Sequence, residues 1–178
     1  MKRYFIFLFI FLLFSNILLA THQRAAQITY RHVTGLTYEF TITMYTRTSS
    51  PADDDRIVMP IYWGDNTGDE LNRIYFQPIP DVEDITLNIY KGEHTFPGPS
   101  TYIVSVEDPN RNYGVVNIPN SVNVPMYVET MLVINPFLGN NNSVELLTRQ
   151  STRGASGRLI FIIPALSTVM ATAFRIIW

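Results

Sequence analysis

His94-Thr95-Phe96-Pro97-Gly98-Pro99-Ser100-Thr101-Tyr102-Ile103-Val104-Ser105-Val106 decides how the rest of the chain is read. Pro97, Gly98 and Pro99 combine fixed and permissive backbone angles, so regular structure stops there. Tyr102, Val104 and Val106 then alternate with Ile103, Ser105 and Glu107, the period of two that a strand with unequal faces requires. Working back from His94, the run Ile85 to Phe96 is a second strand, with Ile85, Leu87 and Ile89 alternating with Thr86, Asn88 and Tyr90. Further back, Ile57, Met59, Ile61 and Trp63 share one face of a third, and Pro60 within it suggests an edge or a bulge.

The clearest strand lies earlier still. Leu36, Tyr38, Phe40, Ile42 and Met44 fall on one face, and Thr37, Glu39, Thr41 and Thr43 on the other. Before it, Ile28, Tyr30 and His32 alternate with Thr29, Arg31 and Val33 up to a turn at Thr34-Gly35, and Leu71 to Phe76 is a short candidate. After Val106 the turn formers Asp108 to Gly114 and Pro119-Asn120 precede a run in which Val122, Val124, Met126 and Val128 alternate, with Pro125 marking an edge. No helical period of useful length occurs between Thr21 and Asn135. The fold class is therefore expected to be all-β with two packed sheets.

The stretch Trp63-Gly64-Asp65-Asn66 and the later His94…Pro97-Gly98…Tyr102-Ile103-Val104 together resemble the signature of the polycystic-kidney-disease (PKD) family of immunoglobulin-like domains. Its Trp-Gly-Asp-Gly turn is matched at Trp63, Gly64 and Asp65, with Asn66 in place of a glycine but equally able to adopt a left-handed backbone. Phe96 stands where the family often has Tyr, and Ser100 where it has Gly. The resemblance implies an immunoglobulin-like β-sandwich in which Trp63, Gly64, Asp65, His94 and Tyr102 form the fold motif. Ser105 to Asn112, Asn117 to Pro125 and Val133 to Gly139 resemble the opening domain of very large exported Bacteroidota proteins, over roughly residues 22 to 147. Such proteins string PKD-like domains together and often end in a gliding-motility-associated or type IX secretion C-terminal domain.

Composition bounds the rest. Lys2 and Arg3 precede an apolar run that ends in Ile17-Leu18-Leu19-Ala20, the layout of a signal peptide over residues 1–20, with export out of the cytoplasm. With no cysteine there is no disulfide framework, thiolate metal site or cysteine nucleophile. All 15 acids fall at or before Glu145, and the span 21–145 holds seven bases, a surface that repels phosphate backbones and excludes nucleic acid as a partner. Residues 21–147 are expected to form the domain.

Site candidates are few. Asp53-Asp54-Asp55 places three carboxylates in one loop; without EF-hand spacing the preferred reading is a solvated loop whose charge discourages strand pairing, and the alternative is a calcium site that Asp65 or Asp69 could join. The run Gly64 to Asp69 has no Lys and no following helix, so it reads as a turn and not a phosphate loop, with Asp65 bonding its amides. His94 is expected to bond backbone or to pack near Trp63, and His32 to be a packed or hydrogen-bonded side chain. No serine and carboxylate are spaced around His94 to form a triad. The expected function is a non-enzymatic module, secreted or at the cell surface, for adhesion, spacing, or contact with protein or glycan. Alternatives are an accessory domain of a secreted hydrolase and a calcium-stabilised surface domain. No other cofactor is expected.

Residues 148–178 change character: acids vanish, Arg149, Arg153, Arg158 and Arg175 appear, and Leu159 to Ala165 opens a nearly uncharged stretch. A shifted or prematurely ended reading frame in a fragment of a longer protein is the preferred reading. A weak membrane anchor, or a last strand with a core helix, are the others. Membrane contact is expected only if this tail inserts or the signal stays uncleaved.

Overall fold

The structure, a computed structural model, describes residues 22–50, 53, 56–80 and 82–144, together with the strand backbones of 151–153 and 159–161. The signal-peptide assignment and nearly all of the 148–178 tail lie outside those residues. Seven strands form the domain: β1 (Gln23–Thr34), β2 (Thr37–Thr46), β3 (Val58–Tyr62), β4 (Gly68–Pro78), β5 (Thr86–Thr95), β6 (Thr101–Asp108) and β7 (Met126–Val133). Every pairing between them is antiparallel, and there is no α-helix among the described residues, so the all-β expectation holds. A separate antiparallel pair joins β8 (Ser151–Arg153) to β9 (Leu159–Phe161).

Hydrogen bonding does not divide the seven strands into two sheets. β4 pairs with β3 through Gly68–Asn72 and, past a register shift between Arg73 and Tyr75, with β5 through Arg73–Pro78. The result is one sheet of order β1-β2-β5-β4-β3-β6-β7, curled until it is nearly a barrel. Its edges meet without a strand ladder. Three latches span this seam: Arg111 donates to the carbonyls of Val124 and Pro125 while bridging Gln23, the Tyr30 hydroxyl donates to Met131 O (3.2 Å), and Ser143 and Asn142 bond the backbone of Tyr30 and His32.

The weak link in the sheet has a chemical origin. Trp63 N donates to Thr67 O and Arg73 N to Ile57 O, so the odd-numbered residues of β3 turn their backbone groups to β4 and leave Pro60 and Tyr62 facing β6. Pro60 has no N–H to donate, and the β3–β6 ladder is the single pair Tyr62↔Ser105.

Alternation places the core as read on β2 and β6: Tyr38, Phe40, Ile42 and Met44 meet Tyr102, Val104 and Val106 inside, with Met59, Ile61 and Trp63 between them. Three expectations are corrected. On β5 the inward set is Thr86, Asn88 and Tyr90, leaving Leu87 and Ile89 half-buried on the outer face, because the two polar residues have buried partners described below. Ile57 lies before β3 and is exposed. Val122 and Val124 do not extend β7. Asn120 is left-handed (φ 53°), a 3₁₀ turn follows at Ser121–Asn123, and the Ser121 hydroxyl ties that turn to Asn112 O, so the strand starts only after Pro125.

Candidate functional site

The β3–β4 hairpin is closed by the Trp63 N to Thr67 O bond, and its turn needs two left-handed residues, Gly64 (φ 81°) and Asn66 (φ 70°). Asp65 Oδ1 accepts from both the amide and the hydroxyl of Thr67, which fixes the turn. A Cβ on Gly64 would stand 2.5 Å from the carbonyl oxygen of Ile103, so the turn lies directly on the backbone of β6.

That contact brings the five motif residues into one neighbourhood. The buried Trp63 ring stacks on His94 at 4.7 Å and 7° between planes, and its Nε1 donates to Asp69 Oδ2 at 2.8 Å. His94 Nε2 meets the other oxygen of Asp65 at 2.8 Å. Phe96 stands edge-on to His94 and tilts against Tyr102 at 4.4 Å, and the Tyr102 hydroxyl donates to Gly98 O. Burial pushes the Asp65 carboxyl up, but the hydrogen bonds from Thr67 and His94 together outweigh it and hold it below the usual range. Among the described residues the His94 ring bonds Asp65 alone. The pair orients the histidine against the indole and joins strand β5 to the turn. His32 is half-buried and donates to Gly35 O, with its ring edge-on to Tyr38.

The acidic loop is not simply solvated. Asp53 is buried and accepts from the hydroxyls of Thr46 and Thr86. Asn88 donates to Thr46 Oγ1 and accepts from Arg73, which accounts for the polar inward face of β5. Asp54 and Asp55 lie outside the described residues. Asp65 and Asp69 are occupied by Thr67, His94 and Trp63, and no group of three or more His, Cys, Asp or Glu among the described residues is placed to hold a metal ion. No helix among them is long and apolar enough to cross a membrane.

The two outer faces differ in charge. On β1-β2-β5, Arg31 grips Glu39 through two bonds (2.8 and 3.0 Å) and Lys91 adds a third. Hydrogen bonding to Arg31 carries the Glu39 carboxyl down to about 2, against a smaller upward push from burial. The threonines expected on this face, Thr37, Thr41 and Thr43, are half-buried there. On β3-β6-β7 two rows face outward: Gly68, Tyr62, Ser105 and Glu129 in one, Glu70, Pro60, Glu107 and Tyr127 in the other. Tyr127 donates to Glu129 (3.0 Å), and burial, then Glu129 and Glu107, raise its phenol above the ordinary value. Glu70 and Glu107 form no ion pair among the described residues. A shallow groove runs along Pro60, Tyr62, Gly68 and Glu70. No spacing motif marks these rows. The alternation of β6 and β7 is their only sequence signal.

In comparisons with known proteins no family model, no curated protein and no solved structure matches this chain.

Proposed function

We propose that the chain is an exported, non-enzymatic surface module of the PKD-like, immunoglobulin-like kind, belonging to the opening region of a longer adhesive or spacing protein. The observation that carries this reading is the convergence of Trp63, Gly64, Asp65, His94 and Tyr102 in one aromatic cluster that ties the β3–β4 turn to β5 and β6. The strand order supports it. β1-β2-β5-β4 followed by β3-β6-β7 is the sequence of neighbours found in the four-stranded and three-stranded layers of a constant-type immunoglobulin domain, with β4 here bridging the two. Polar side chains at the cluster are spent on one another, which suits a scaffold. Export rests on the residues 1–20 signal, and surface contact with protein or glycan on the acidic span that follows. A fusion of residues 1–144 to a phosphatase that is active only outside the cytoplasm tests the export half. Activity is expected, and an inactive fusion that becomes active only when residues 1–20 are replaced by a known signal peptide would refute it.

A further inference from the structure

We infer that the outward face of β3, β6 and β7 is a docking surface for an extended protein segment carrying arginine or lysine at alternate positions. This rests on the surface-module reading and names the partner chemistry for it. The place is set by exposed apolar groups on a rigid sheet. Tyr62 is 56% exposed and Ile103 42%, although both sit on strands, and Gly68 beside the Tyr62 ring leaves a groove where a side chain would fill it. Tyr127 lies two strands from Tyr62, one row away.

Charge sets the occupant. Glu70, Glu107 and Glu129 surround these rings, and no Lys or Arg stands in either row. The cations nearest in the fold are engaged elsewhere: Arg56 with the buried Asp108, Arg73 with Asn88 and the Phe76 ring, Arg111 with the carbonyls at the start of β7. The opposite outer face shows what this sheet does with a carboxylate that has an internal partner, since Glu39 holds both Arg31 and Lys91. Spacing sets the conformation. Glu107 opposes Tyr127 and Glu129 opposes Ser105, which makes the two glutamates diagonal neighbours at about 7–8 Å. An extended chain repeats its same-side residues at about 6.8 Å. Two alternate cations therefore reach both carboxylates, and the Tyr62 ring, the diagonal neighbour of Glu107 on its other side, adds attraction for the cation at Glu107. A neutral glycan would use the rings and the groove but would leave the carboxylates unmatched.

The test uses the full chain and an (Arg-Thr)₃-amide peptide carrying fluorescein on its amino terminus, followed by anisotropy at low and at physiological salt. Binding is expected and should weaken with salt. Loss of two surface carboxylates in Glu107→Gln/Glu129→Gln should weaken it about tenfold. Tyr62→Ala should weaken it severalfold with no change of charge, and Glu93→Gln, on the opposite outer face, by less than about twofold. All four positions are on the surface, and the glutamine changes keep shape, so unchanged circular dichroism accompanies these outcomes. An equal loss with Glu93→Gln would overturn the proposal in favour of general charge attraction. So would absence of peptide binding, or binding of a neutral β-linked oligosaccharide that ignores Glu107→Gln/Glu129→Gln. A chain that reaches the cell surface yet fails these tests retires the docking surface alone, whereas retention inside the cell retires the surface-module reading itself.

Discussion

Replacing Gly64 by alanine separates two costs that the turn imposes, provided Gly35→Ala is measured beside it. Both glycines have positive φ, +81° and +54°, so each alanine adopts a left-handed backbone at about 1–2 kcal/mol. Gly35 faces open space and incurs that cost alone. At Gly64 the new Cβ would sit 2.5 Å from Ile103 O and 2.8 Å from Ile103 N. These are backbone atoms of β6, which is paired along its length with β7, so no side-chain rotation relieves the overlap. Forcing the turn away from β6 adds overpacking of about 1–3 kcal/mol. The expected destabilisation is thus about 2–5 kcal/mol for Gly64→Ala against 1–2 for Gly35→Ala. Urea unfolding followed by circular dichroism measures both, with unchanged slopes showing that stability alone has moved. Equal losses within about 0.5 kcal/mol would refute the contact between turn and β6.

Trp63→Ala should lose about 3–5 kcal/mol through the cavity it leaves, and a stable, soluble variant would tell against Trp63 as the anchor of the core. Asp53→Ala strands the buried hydroxyls of Thr46 and Thr86 and should cost about 1–3 kcal/mol, and because those hydroxyls occupy the carboxylate, melting should be the same in calcium and in chelator. Glu39 has a folded pKa depressed to about 2 from 4.5, so its contribution is present above 4.5 and is lost as the pH falls to 2. In this screened surface setting Glu39→Gln should cost about 1 kcal/mol at neutral pH and flatten that acid limb in pH-dependent melts. Tyr90 is buried and pushed up to about 12; an unfolded tyrosine ionises near 10, so stability should fall as pH rises from 10 to 12, and Tyr90→Phe should reduce that slope.

Strand existence was legible where a face is purely apolar, as on β2 and β6, since burial then follows the period of two. It was misleading on β5, where Leu87 and Ile89 look like core and Thr86 and Asn88 do not. The partners that make the polar face bury, Asp53 and Thr46, are more than thirty residues away in sequence and invisible to a local window. Asp53 meets Thr86 across the same distance and Thr46 seven residues before it, while its immediate neighbours in sequence advertise solvent. Val122 and Val124 imitate a strand, but the left-handed Asn120 and the Ser121 hydroxyl impose a turn first. Two sheets were expected from the fold class. Pro60 and the register shift in β4 decide where ladders start and stop, and such details follow from which side a backbone group faces, which residue type alone does not tell. The turn chemistry at Gly64, Asp65 and Asn66 was readable from residue type because positive φ and carboxylate-to-amide bonds are local. The carboxylate rows on β3-β6-β7 exist only after registration of four strands, so no single stretch could announce them.

If the chain is an exported surface module, Lys91 is reachable from outside the cell. Apart from Lys2 it is the one lysine of the chain, and its side chain is 41% exposed. Intact producing cells are treated with a membrane-impermeant amine-reactive biotin, and the recovered chain is digested and analysed by mass spectrometry. Biotin is expected on Lys91 and on a new amino terminus at Thr21. A chain that begins at Met1 and carries biotin on Lys91 only after the cells are permeabilised would contradict export.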